Sequence, residues 1–158
     1  VKVSTASFKL RNPVHFLALG FGSGLAPKAP GTFGTLAGIP IFLVLAQFSL
    51  PVYLAVTALF FVVGIAICGV AARDAGVHDH PAIVWDEVVG FLITMIAVPA
   101  GWGWVILGFC LFRLFDILKP WPIRLLDRYV GGGFGIMIDD VLAGIFALAV
   151  LQLLLYWL

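Results

Sequence analysis

Two pairs of adjacent carboxylates, Asp86-Glu87 and Asp139-Asp140, each stand at the head of an apolar run, and a fifth acid, Asp116, lies between them. The surroundings of the pairs echo each other: Trp85-Asp86-Glu87-Val88-Val89-Gly90 and Ile138-Asp139-Asp140-Val141-Leu142-Ala143. Carboxylates drawn from three segments, with no cysteine beside them, suit a hard cation such as Mg²⁺, which takes oxygen ligands and often shares them with phosphate. Neighbours on a helix point about 100° apart, so one member of a pair can bind metal while the other caps the helix or orients a ligand. Gly90 and Gly144, four residues after Asp86 and Asp140, leave space on the carboxylates' face. Helix capping by the acidic pairs is the plainer alternative. In the loop around residues 73–81, Asp79 is a further candidate metal ligand, whereas His78 and His80 lack a strong zinc spacing. Lys28, Lys119, Arg124 and Arg128 supply donors for an anion, although Arg124 and Arg128 equally suit lipid headgroups. Arg113 and Asp116, three apart on a helix, can simply neutralise each other.

The segments that must position these groups are read from composition. The 158 residues are 63% hydrophobic and only 11% charged, against about 25% charged for a soluble domain. Mean hydropathy is +1.16. The class is integral membrane and all-α, as one domain over residues 1–158. A net charge of +1 gives no electrostatic case for nucleic acid. Cys68 and Cys110 sit in apolar runs and read as buried thiols without a disulfide. The N-terminus reads as mature sequence rather than a signal peptide. The basic tail of residues 1–12 leads to a short interfacial helix near Val14 to Leu19, then a Gly-rich loop over residues 20–35. Five spans follow, near Phe33 to Phe48 (with Pro40 inside), Val52 to Ala72, Ile83 to Val98, Trp104 to Leu118 and Ile138 to Leu158. The turn at Pro99-Ala100-Gly101 makes a hairpin of the third and fourth. All charges and all three His then fall on one face. Nine Lys and Arg on that side make it cytoplasmic, with Asp86, Glu87 and Arg113 below the interface, where charge is costly and marks function. The stretch 113–140 holds four of the nine basic and four of the eight acidic residues. The sequence carries no signal of oligomeric state.

Four blocks resemble the phosphatidylglycerophosphatase A family: Gly22-Ser23-Gly24 with Pro30-Gly31-Thr32-Phe33-Gly34; Trp85 to Gly90; Phe115-Asp116-Ile117-Leu118-Lys119-Pro120-Trp121-Pro122; and Gly132-Gly133-Phe134-Gly135-Ile136-Met137-Ile138-Asp139-Asp140 with Ala143-Gly144. They run in family order over nearly the whole chain. The resemblance implies a Mg²⁺-dependent enzyme of the bacterial inner membrane, with its site facing the cytoplasm. Such an enzyme removes phosphate from phosphatidylglycerophosphate to leave phosphatidylglycerol. It also implies functional roles for Asp86, Glu87, Asp116, Lys119, Asp139 and Asp140. The expected assignment is Asp86, Asp116, Asp139 and Lys119 in catalysis. Lys28, Thr32, Lys119 and Arg124 would meet phosphate; Asp86, Glu87, Asp140 and Asp79 would meet metal. Water attack and an aspartyl-phosphate both remain open. One rival reading is a CDP-alcohol phosphotransferase, whose Asp-Gly and Ala-Arg elements are missing here. The other is an ion- or proton-coupled transporter, against which the apolar outer half argues.

Overall fold

A computed structural model describes residues 4–78 and 80–158 of the chain; Asp79 and the first three residues of the basic tail lie outside them. The described residues form helices and connecting turns with no strand: α1 (Pro13–Ala18), α2 (Pro30–Leu45), α3 (Leu50–Ala75), α4 (Trp85–Thr94), α5 (Trp102–Leu118), α6 (Ile123–Tyr129) and α7 (Gly132–Trp157), with a 3₁₀ turn at Ser23–Leu25. The all-helical expectation holds. The five-span count does not follow from helix length. Among the described residues, only α3 and α7 are helices long and apolar enough to cross a membrane, and α2 is a shorter apolar helix. At about 1.5 Å per residue, α4 is only ~15 Å long, half the ~30 Å hydrocarbon thickness.

The helices start and stop for local reasons. Asn12 caps α1, its side chain accepting from Val14 N–H at 3.0 Å. Pro residues occupy the first turns of α1, α2 and α3, where no intrahelical N–H is needed. Helix α2 begins five residues before the expected loop ends, so Gly31 to Thr35 are helical rather than loop. It runs through Pro40, which faces outward. Gly76 ends α3 in the left-handed conformation. Helix α4 stops well short of the expected Val98. Ala97 takes a positive φ, and Pro99 disfavours helix in the residue before it. Carbonyls near this end are met by side chains: Tyr53 Oη–H donates to Leu92 C=O, and Gln152 Nε2 donates to Ile96 C=O at 2.9 Å. Irregular backbone is tolerated at such depth only when partnered in this way. Helix α7 starts at Gly132, six residues before the expected Ile138, which places Asp139 and Asp140 two turns inside it.

Helix α4 is the centre. Apart from Glu87 and Ile93 it is buried along its length, and it packs against α2, α3, α5 and α7. A core of Phe42, Phe91, Phe112, Leu92, Met95 and Leu151 surrounds its second half. Helix α1 covers α3, where His15 Nε2 meets Asp74 Oδ2 at 2.7 Å. Because Lys9 N–H donates to His15 Nδ1, the proton lies on Nε2. Outward faces of α2, α3, α5 and α7 carry exposed Val44, Leu59, Val62, Ile106, Ile145 and Leu153. Helices apolar outside as well as inside are suited to lipid rather than water. Cys68 is buried as expected, but Cys110 is exposed on α5, because the apolar run containing it has one face outside the bundle.

Candidate active site

Helices α4, α5 and α7 deliver charged groups to one end of the bundle. Helix α4 brings Asp86 and Glu87 in its first turn. Helix α7 brings Asp139 and Asp140, and α5 brings Arg113 and Asp116, with Lys119 as its left-handed C-cap. The N-terminus of α2 adds Ala29, Pro30 and Gly31. A cavity of about 350 Å³ is lined by Gly31, Asp86, Glu87, Arg113, Asp116 and Lys119, among others.

Helix contact explains how α4 and α7 bring their acids together. A Cβ on Gly144 would lie 2.6 Å from Gly90 C=O, and one on Gly90 would lie 3.0 Å from Asp140 C=O. These glycines do not clear space for a ligand, as the sequence suggested; they let two backbones touch. One turn above that contact, oxygens of Asp86, Glu87 and Asp140 all lie within 4.8 Å of one another. Asp86 and Asp140 are almost completely buried. Asp86 Oδ1, Glu87 Oε2 and Asp140 Oδ2 are buried with no hydrogen-bond partner among the described residues. Crowded, buried carboxylates are unfavourable as bare anions and are relieved by a cation or by a shared proton, and an all-oxygen set fits Mg²⁺.

The two acidic pairs divide differently. Asp139 turns to Lys119, with Oδ2 2.9 Å from Nζ, while Asp140 joins the cluster. Neither caps a helix, since both sit deep inside α7. Asp86 and Glu87 both reach the cluster, the longer Glu side chain bridging the angle that separates helix neighbours. Lys119 also lies 3.8 Å from Asp116 and from Asp127. Burial works against its charge, but Asp139, Asp140 and Asp116 outweigh burial and hold the ammonium above the ordinary lysine range. Arg113 Nη1 pairs with Asp116. At this end of the bundle five acidic side chains stand against Arg113 and Lys119, an excess of oxygen ligands that suits a divalent cation.

A model of one known family, described as PgpA, phosphatidylglycerophosphatase A, matches residues 16–155. The chain belongs to the phosphatidylglycerophosphatase A family. A phosphatidylglycerophosphatase A of Escherichia coli strain K12 is 48% identical over 150 residues, covering 94% of this chain and 87% of the relative. One from Haemophilus influenzae is 50% identical over 151 residues, covering 94% of this chain and 93% of the relative. No solved structure matches. The resemblance read from the four sequence blocks is thereby borne out.

For a phosphatidylglycerophosphatase A family chain, the expected phosphate contacts are spread unevenly. Lys119 lines the cavity. Thr32 is half-buried in the first turn of α2 but does not line it. Lys28 is exposed in the preceding loop. Arg124 is exposed on α6 and, with Lys119, Trp121 and Arg128, borders a neighbouring groove of about 430 Å³. Asp79 falls outside the described residues. Arg113 and Gly31 also line the cavity. The depth of Arg113 in an apolar span marks it in the sequence and its pairing with Asp116 is present, whereas Gly31 stands out there only as part of a block. His80 also lines the cavity. Its Nδ1 accepts from Ala82 N–H at 3.0 Å, leaving Nε2 to donate to Ser4 C=O at 2.8 Å, which fastens the N-terminal segment.

Proposed function

We propose that this chain hydrolyses phosphatidylglycerophosphate to phosphatidylglycerol and inorganic phosphate, with Mg²⁺ as cofactor. The family to which it belongs supports the reaction, and the crowded, undonated oxygens of Asp86, Glu87 and Asp140 support the metal. Water adds to phosphorus and gives up one proton, the bond from phosphorus to the glycerol oxygen breaks, and the departing alkoxide takes up a proton, so that one hydrogen of the water ends on the alcohol and its oxygen on the phosphate. A bound Mg²⁺ supplies positive charge against the phosphoryl oxygens and acidifies water. The chain's residues do the rest. Asp86, Glu87 and Asp140 would hold the ion. Asp139 fixes Lys119 beside the cavity, where its ammonium offsets charge gathering on the phosphoryl group. Asp116 restrains Arg113 from one side and Lys119 from the other. Asp86 and Asp116 are themselves buried, where charge interactions are stronger than in water.

Purified protein should release inorganic phosphate from the lipid, lose that activity with a chelator, and regain it with Mg²⁺. Full activity in chelator after extended dialysis would refute the metal role.

The reading extends to the membrane. Helices α2, α4 and α5 would join α3 and α7 as five segments within the bilayer, with the cavity opening to the cytoplasm and the acyl chains remaining in lipid. The asymmetric distribution of Lys and Arg supports that orientation. In a background lacking Cys68 and Cys110, a cysteine at Ser49 or Ala100 should react with an impermeant reagent from outside, and one at Ala75 only from inside. Labelling of Ala75 and Ala100 from the same side would sink this topology.

A further inference from the structure

We propose that Arg113 is the phosphoryl-binding residue of this site, and that the cavity lined by Arg113 and Gly31 is the seat of the phosphate monoester. The proposal deepens the phosphatase reading and rests on it. Among the described cations near the cavity, Lys119 is surrounded by Asp139, Asp116 and Asp127 within 3.8 Å. Its charge is already matched. Lys28 and Arg124 do not line the cavity. Arg113 differs. Its Nη1 pairs with Asp116, yet its Nε is buried without a hydrogen-bond partner. Leaving a buried guanidinium N–H unmet is costly, and a planar fork is suited to the oxygens of a phosphate.

Gly31 packs directly against that fork. A Cβ placed there would lie 3.2 Å from both Nη1 and Nη2 of Arg113 and 3.0 Å from Glu87 Oε1. These are tight contacts, so the absence of a side chain lets the first turn of α2 pack against the guanidinium and the carboxylate. The adjoining cavity is lined by Gly31, Glu87 and Arg113 together. A phosphoryl group within it would meet Arg113 on one side and a cation held by Glu87 on the other. Gly31 also sits in the first turn of the sixteen-residue α2, whose positive dipole end opens on the same cavity and favours an anion. Mutual neutralisation with Asp116 accounts for Nη1 but not for the unmet Nε.

Gly31→Ala is the decisive variant, because it presses one methyl between the guanidinium of Arg113 and Glu87 at the edge of the cavity, while Ala favours helix over Gly. The probe is inorganic phosphate with Mg²⁺ and the full chain in detergent. Phosphate should raise the melting temperature of the wild-type protein. Gly31→Ala should match or exceed the wild-type melting temperature without phosphate, yet require about tenfold more phosphate for the same protection, the scale of one charge-assisted hydrogen bond. Arg113→Lys, which keeps the charge and loses the fork, should show a similar shift, and KM for the lipid should rise in parallel in both. The lipid arm separates headgroup recognition from binding of free phosphate alone. Wild-type-like protection of Gly31→Ala overturns the proposal, as does an absence of protection in the wild type. Failure of the wild type to release phosphate from the lipid would instead overturn the phosphatase reading, since protection by phosphate is measured without turnover.

Discussion

Asp140→Asn is expected to slow phosphate release by about 10²-fold or more and to raise the Mg²⁺ concentration needed for half-maximal rate. The substitution keeps the side-chain shape and removes one charge. Asp140 Oδ2 is buried without a donor beside Asp86 and Glu87, so the lost charge is one that a cation alone would have met. A 10²-fold loss corresponds to about 2.7 kcal/mol, the scale of removing a principal electrostatic group from an active site. Asp139→Asn is the internal control. Its carboxylate faces Lys119 at 2.9 Å, so the variant should lower the rate through a misplaced ammonium while its Mg²⁺ requirement stays near that of the wild type. The measurement is phosphate release against Mg²⁺ concentration, with expression and melting temperature checked for each variant. A raised Mg²⁺ requirement in Asp139→Asn with none in Asp140→Asn would reverse the assignment. No change in either would place the metal elsewhere.

Gly144→Ala should produce a second large effect without altering any functional group. Its new methyl would lie 2.6 Å from Gly90 C=O and 3.2 Å from Ile93. The first of these is backbone and cannot rotate aside. Helix α4 must move away from α7, and the expected cost is roughly 1–3 kcal/mol of stability, as for other overpacked contacts. The same displacement parts Asp86 from Asp140, and a shift of about 1 Å in a reacting constellation can cost about 10²-fold in rate. Gly103→Ala, at a helical position with no atom within 4 Å of the added carbon, should leave both quantities near wild type. Wild-type stability and Mg²⁺ dependence in Gly144→Ala would mean that the close contact does not set the geometry of the acids.

Charge-free runs in the sequence located the helices well, because apolar length is a local property. Helix ends were less legible. The shortness of α4 depends on Ala97 taking a positive φ and on Tyr53 and Gln152, from distant helices, meeting carbonyls near its end. Nothing near residue 95 in sequence announces those partners. Helix α7 was expected to begin at Ile138 because Gly131-Gly132-Gly133 reads as loop, yet a Cβ on Gly133 would lie 1.9 Å from Ile65 C=O, so close packing on α3 rather than flexibility explains that glycine. The acidic pairs were visible as unusual charge in apolar surroundings. The distinction between Asp139 and Asp140 followed in outline from helical geometry, but their particular neighbours did not. Arg113 pairs with Asp116, as their spacing of three suggested, while its unmet Nε and its close packing against Gly31 are properties of the assembled bundle.

The half-length α4 has a consequence for the electrical integrity of the membrane. Beyond its first turn the bundle is filled by Phe42, Phe91, Phe112 and Met95. The buried hydroxyls there are already committed, Tyr53 to Leu92 C=O, Thr57 to Tyr53 C=O and Thr94 to Gly90 C=O. Among the described residues, no chain of free polar groups continues from the carboxylates through this plug, so an ion leaving the cluster in that direction would lose its solvation. In the proposed orientation, with the cavity open to the cytoplasm, a site rich in charged side chains would sit within the bilayer while released phosphate departed by the mouth through which the headgroup entered, and the gradients across the membrane would be left undisturbed.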